Sequence, residues 1–144
     1  MRKSVVFRLA GLVCLLLGIA NLASAVSPGF STVMPRGIQR GTDAEVTIHG
    51  SGLGDIADIV FHDPGIELVS IAPVDDKSAK AVLRAAPECR VGTHGIRVRT
   101  NTGMSNMQLI SVGTLPEIQE QEPNNKVAEA PEIALGTTIN GIVT

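Results

Sequence analysis

The 144-residue chain has no tyrosine and no tryptophan, and its phenylalanines number three, one of them at position 7. So few rings argue against a carbohydrate site built on stacking aromatic platforms. They argue equally against a nucleic-acid surface that interleaves rings with clustered basic side chains. Cysteine is almost as scarce, with Cys14 and Cys89 the only two. Beyond the first 25 residues no stretch shows a helical period of apolar side chains, which argues against a helical fold.

The first residues fall into three zones. Arg2, Lys3 and Arg8 form a basic start, Leu9 to Ala20 an apolar run, and Ala23-Ser24-Ala25 a small-residue triplet. This is the layout of a secretory signal peptide, with cleavage expected after Ala25. The apolar run is short of the roughly 20 residues that a membrane span requires, and an uncleaved anchor would leave the triplet without a purpose. Cys14 goes with the peptide, so the exported chain keeps one thiol, Cys89, and cannot staple itself with a disulfide. Nothing beside Cys89 in sequence looks like a general base, so it reads as a half-buried small apolar residue, with pairing to another chain as its functional alternative. Loss of the three basic residues leaves 9 Lys and Arg against 14 Asp and Glu. Such a surface repels phosphate backbones, so nucleic acid is not an expected partner.

From Val26 to Gly113 short alternating runs are separated by Gly, Pro, Asn and Asp, the pattern of an all-β protein. "AEVTIHG" places Ala44, Val46 and Ile48 on one face and Glu45, Thr47 and His49 on the other. "DIVFHDPG" sets Ile59 and Phe61 against Val60 and His62 and stops at the turn Asp63-Pro64-Gly65. "IELVSIA" sets Ile66, Leu68 and Ser70 opposite Glu67, Val69 and Ile71. Further strands are expected around Val82, in "GIRVRT" with Ile96 and Val98 inside and Arg97 and Arg99 outside, and around Leu109, with a hairpin turn at Asn101 to Gly103. About seven such strands, with turn signals every ten residues or so, predict an immunoglobulin-like β-sandwich.

After Gly113 the composition changes. Residues 114–127 read as an acidic, proline-containing linker, and the alternating Thr138 to Val143 reads as a strand with no partner in its own domain. A lone strand leaves an open edge, which implies pairing with the first domain or membership of a second, incomplete sandwich over 128–144.

Two stretches resemble known families. "GIQRGTDAEVTIHGSGLGDIADIVFHDPGIEL" and the later "APECRVGTHGIRVRTNTGMSN" are similar to the opening and closing halves of TIG-type (IPT) immunoglobulin-like domains. "EQEPNNKVAEAPEIALGTTINGIV" resembles the first part of a bacterial pre-peptidase C-terminal (PPC) domain, a β-sandwich found on secreted peptidases. The second resemblance implies calcium as a bound ion, with Glu120, Glu122, Asn124 and Asn125 as oxygen donors, and calcium does favour six to eight hard oxygens. Read from the residues alone, the same segment is a solvated acidic linker with an Asx turn after Pro123. Together the resemblances imply that the chain is the N-terminal part of a longer exported protein, or the product of an interrupted reading frame.

No catalytic set emerges. His49, His62 and His94 lack H-x-H or H-E-x-x-H spacing, and His49 and His94 are expected to face solvent. There is no G-x-S-x-G elbow, and Ser51 and Ser105 sit in turns without a recognisable base. The glycines of "GSGLGD" fall at 50, 52 and 54, which suits a turn and not a phosphate cradle. Arg97 and Arg99, with Arg84 nearby, form a candidate basic stripe for an acidic protein or a glycan. The functional expectation is a non-enzymatic exported module that spaces, presents or binds a protein or glycan, in the periplasm, at the cell surface or outside, with no membrane contact after cleavage. The alternative is the accessory N-terminal region of a secreted hydrolase, a peptidase, whose catalysis lies elsewhere.

Overall fold

The computed structural model describes residues 27–124, 126 and 130–141. The expected signal peptide over 1–25 and the candidate ligand Asn125 therefore lie outside the described residues. Strands β1 (Gly29–Met34), β3 (Asp43–Ser51), β6 (Ser78–Ala85) and β5 (Ile66–Pro73) form one sheet in that order. The second sheet runs β2 (Gly37–Gln39), β9 (Gln108–Gly113), β7 (Gly92–Thr100) and β4 (Ile56–Phe61), with the short β8 (Gly103–Met104) paired to β7.

This order is the immunoglobulin arrangement. Four strands equivalent to A, B, E and D pack on a sheet containing G, F and C, and the first strand is divided between the two. β1 pairs antiparallel with β3, whereas β2, just beyond Pro35, pairs in parallel with β9. Proline has no N–H to give a ladder, so the chain changes sheets there at little cost in hydrogen bonding.

Period-2 alternation builds the core. β3 buries Val46 and Ile48, β7 buries Ile96 and Val98, and β9 buries Ile110 and Val112. β6 turns Ala79, Ala81, Leu83 and Ala85 inward, so small residues meet larger ones from the facing sheet. Phe30 and the partly buried Phe61 are the aromatic side chains within this core.

One strand assignment shifts in detail, and two others gain their facing from the structure. β5 carries a bulge between Leu68 and Ser70 that resets its alternation, so Ile71 and not Ser70 joins Leu68 against the core. The strand expected around Val82 is β6, whose inward row is the alanine–leucine set. On β9, Leu109 points to solvent at 55% exposure while its neighbours Ile110 and Val112 are buried.

The glycine-rich stretch after β3 is a turn, as expected. Gly50 lies against the Gly29 carbonyl, where an added Cβ would meet backbone, and Gly52 has φ of 66°.

The expectation of an unpaired terminal strand is corrected. β11 (Thr138–Asn140) pairs in parallel with β10 (Glu117–Gln119), a strand inside the segment read as linker. Glu117 to Gln119 follow Pro116 closely, and the glutamates around them obscured the short strand. The Pro116 carbonyl accepts from Thr138 N at 2.8 Å, and the Asn140 carbonyl accepts from Glu120 N at 2.9 Å. Among the described residues there is no helix long and apolar enough to cross a membrane.

Candidate functional site

The acidic segment expected to hold an ion follows directly from β10. Asn124 Nδ2 donates to Glu120 Oε1 at 2.5 Å, and Asn124 N donates to Glu122 Oε2 at 3.2 Å. One asparagine thus gathers both carboxylates, and three of the four expected ligands come together. Their chemistry, hard oxygens with two negative charges, suits calcium, but their number falls short of its usual six to eight donors. Among the described residues no three His, Cys, Asp or Glu side chains converge in a way that would hold a metal.

This segment leans on the sandwich through Asn140. Its Oδ1 accepts from Gly37 N at 3.1 Å, and its Nδ2 donates to Glu117 Oε2 at 2.6 Å. One side chain therefore ties the edge of β2 to β10 from its place on β11. Between tail and sandwich lies a cleft of ≈ 460 Å³ lined by Met34, Thr47 and His49 on one wall and by Glu120, Glu122 and Asn140 on the other.

The three histidines are dispersed. His49 is exposed, as expected, and so is His62. His94 is not: only 1% of its surface meets solvent, which corrects the expectation of an outward ring. On β7 it shares the inner face with Ile96 and Val98, two and four residues on, and the period of 2 that buries them buries it as well.

Burial places His94 beside Cys89, whose Sγ lies 4.0 Å from Nε2, and turns Nδ1 toward Asp63 Oδ2 at 3.6 Å. No base was legible beside the thiol because its neighbour in space, His94, is five residues away, on β7. Cys, His and Asp in that order invite comparison with a nucleophilic triad. The hydrogen bonding contradicts it. Both the thiol, at 3.7 Å, and Nε2, at 2.7 Å, are directed at the Arg90 carbonyl, which can only accept. Cys89 is 2% exposed, and burial pushes its thiol pKa up, away from the thiolate that a nucleophile needs. One metal ion cannot use the cluster either, since the thiol and the carboxylate face different ring nitrogens. The enclosed thiol also has no surface from which to pair with another chain.

The arginine stripe does not form. Arg84 lies on β6 in the opposite sheet and makes a two-pronged pair with Asp43, both contacts at 2.7 Å. Arg99 pairs with Asp58 at 3.2 Å. Arg97 donates to the Ser105 carbonyl at 3.4 Å and has a buried Nε without a partner. Around it the outer face of the second sheet exposes Met104, Met107 and Leu109. Ser105 is structural: 2% exposed, its Oγ accepts from Val98 N at 2.9 Å and donates to the Asn106 carbonyl at 2.7 Å.

No family model and no curated protein matches this chain. Among solved structures, it is similar to SGBP-B of the Bacteroides ovatus mixed-linkage glucan utilization locus, solved with a mixed-linkage heptasaccharide, at 16% identity and a TM-score of 0.45 over 65% of this chain and 24% of that one. Domains 5–6 of the S-layer protein SbsC align at 10% identity and a TM-score of 0.41 over 78% of this chain and 67% of that one. The cell-surface-expressed multi-modular chitinase ChiW from Paenibacillus aligns at 12% identity and a TM-score of 0.41 over 71% of this chain and 12% of that one. The chain thus spans about a quarter of the first of these proteins and about an eighth of the third.

Proposed function

We propose that the chain is a non-catalytic, exported immunoglobulin-like module that spaces or presents a neighbouring domain and meets a protein partner, within a larger secreted or cell-surface protein. The observation that carries this reading is the contrast at Asn140. The sandwich has its own core, whereas β10 and β11 form a two-stranded parallel sheet with Ile118 and Ile139 exposed. Two strands do not stand alone, and parallel pairs are ordinarily covered on both faces. The pair is therefore read as the margin of a second β-sandwich of the PPC type, with the acidic junction lying between its two strands. A protein partner is favoured over a glycan because the exposed face around Arg97 offers methionine and leucine and no stacking ring.

In the same reading the acidic junction binds calcium through Glu120, Glu122, Asn124 and Asn125, with further oxygens from elsewhere. Titration of the full chain with calcium chloride, followed by calorimetry and thermal melting, tests it. Binding heat and a raised Tm, both abolished in the Glu120→Gln/Glu122→Gln double variant, are expected. Heat that persists in the double variant, or no heat at all, would remove calcium from these residues.

A further inference from the structure

Immunoglobulin sandwiches often fasten the corner before strand F with a tyrosine whose hydroxyl bonds back to the backbone a few residues upstream. This chain has no tyrosine. His94, the third residue of the F-like strand β7, sits in the corresponding place, and its Nε2 reaches the carbonyl of Arg90, four residues earlier, at 2.7 Å. Since a carbonyl only accepts, the ring proton is on Nε2 and Nδ1 carries a lone pair.

A tyrosine has one polar atom to satisfy and an imidazole has two. The second, Nδ1, is buried with no hydrogen-bond partner. It looks across 3.6 Å at Asp63 Oδ2, so that two acceptors face each other. A buried polar atom left in that state is costly, and one added proton would satisfy it.

We propose that His94 is a proton-operated clasp: a second proton, taken up at Nδ1, makes the ring a donor to Asp63 and ties the β6–β7 turn to the β4–β5 turn. Before protonation the two turns are joined by the backbone bond from Ala86 N to the Gly65 carbonyl at 2.8 Å and by Arg90 Nη2 and Asp63 Oδ2 at 3.4 Å, the latter an exposed contact that water and salt weaken. After it, a charge-assisted bond from a buried ring to the partly exposed Asp63 is added.

The surroundings set the sign. Among the described residues Asp63 is the carboxylate within ion-pair distance of Nδ1. Arg90 opposes a second positive charge, the Cys89 thiol stays neutral through burial, and Arg40 and Glu88 act on the same corner with opposite signs. From β9 the residue paired with His94 is the apolar Ile110. The clasp therefore contributes on the acid side, where an imidazolium faces an ionised Asp63. Its contribution disappears as pH rises and Nδ1 loses its proton, and also in stronger acid once Asp63 is neutral.

The test compares the full chain with Asp63→Asn and His94→Gln by thermal melting between about pH 8 and about pH 5.5, the span in which histidine ordinarily changes charge. Nitrogen NMR of the imidazoles follows the same titration. The glutamine keeps an N–H donor for the Arg90 carbonyl but cannot titrate. Relative to Asp63→Asn, the natural chain is expected to gain about 4 °C in Tm on acidification. His94 should pass from the Nε2–H tautomer to the doubly protonated ring. Parallel pH profiles for the natural chain and Asp63→Asn would overturn the clasp, as would a His94 that carries its proton on Nδ1 at about pH 8. Asp63 is partly exposed and its variant needs no repacking, so that difference decides the matter even where His94→Gln folds poorly.

Discussion

The sandwich and the tail contain the same kind of sequence and end in different states. "AEVTIHG" and "TTINGIV" both alternate apolar and polar residues, yet Val46 and Ile48 are buried and Ile139 is 47% exposed. Among the described residues none beyond Val112 belongs to the hydrophobic core. The period decides which side chains share a face, and only an opposing sheet decides whether that face is dry. In the sandwich β3 has such a sheet opposite it. In the tail β11 has β10 beside it and polar bonds from Asn140, so the tail holds its position by hydrogen bonds that water can replace.

The largest effect that would sharpen this contrast is expected from matched leucine truncations. Leu83 is fully buried on β6 and Leu135, in the tail, is fully exposed. Leu83→Ala removes core atoms from among alanines that cannot expand to fill the space, and should cost about 2–5 kcal/mol of unfolding free energy. Leu135→Ala should stay within about 0.5 kcal/mol. Urea denaturation of both variants measures the difference. Equal costs would mean that the tail shares the core after all.

The same contrast explains how much could be read from the residues. The sandwich was legible wherever alternation ran unbroken, as in Ala44 to Ile48 or Ile96 to Val98. It failed at Ser70 because a bulge adds one residue to β5 and exchanges the faces beyond it, and nothing in "IELVSIA" marks the extra residue. His94 was misplaced because a polar side chain on an inner row looks, in sequence, like an outward one. Its partner Asp63 is 31 residues away and is brought near only by the stacking of two turns at one end of the sandwich. In the acidic segment the carboxylates and Asn124 were visible as candidate ligands, but the strand just before them was not. Glu117-Ile118-Gln119 is too short and too acidic to stand out from a linker until β11 pairs with it.

A middle-sized effect is expected where the two regions meet. Asn140→Ala removes the acceptor for Gly37 N and the donor to Glu117 and leaves the core untouched. The backbone pairing of β10 and β11 would lose about 1–2 kcal/mol of local stability, while the global melt of the sandwich stays in place. Hydrogen exchange at Thr138 N and Glu120 N, both donors between the two strands, reports the local loss directly. A matching fall in global stability would show that tail and sandwich unfold as one unit.

The smallest effect is expected on the outer face of the first sheet, and it has a definite sign. Arg84 holds the Asp43 carboxyl below the usual carboxylate range, chiefly through its hydrogen bonds, with desolvation acting against them and the Arg84 charge adding to them. A lowered carboxylate pKa contributes stability that is present above the ordinary value and lost as pH falls through the lowered one. Asp43→Asn should therefore leave the melt near neutral pH almost unchanged and flatten part of its fall in acid. The pair is about half exposed, so salt should shrink even this difference. Melting curves in acid at low and high salt read both effects. If Asp43→Asn instead weakened the neutral-pH fold as much as Leu83→Ala, the ion pairs laid across β3 and β6 would rank with the dry interior, and the contrast between a core-held sandwich and a bond-held tail would fail.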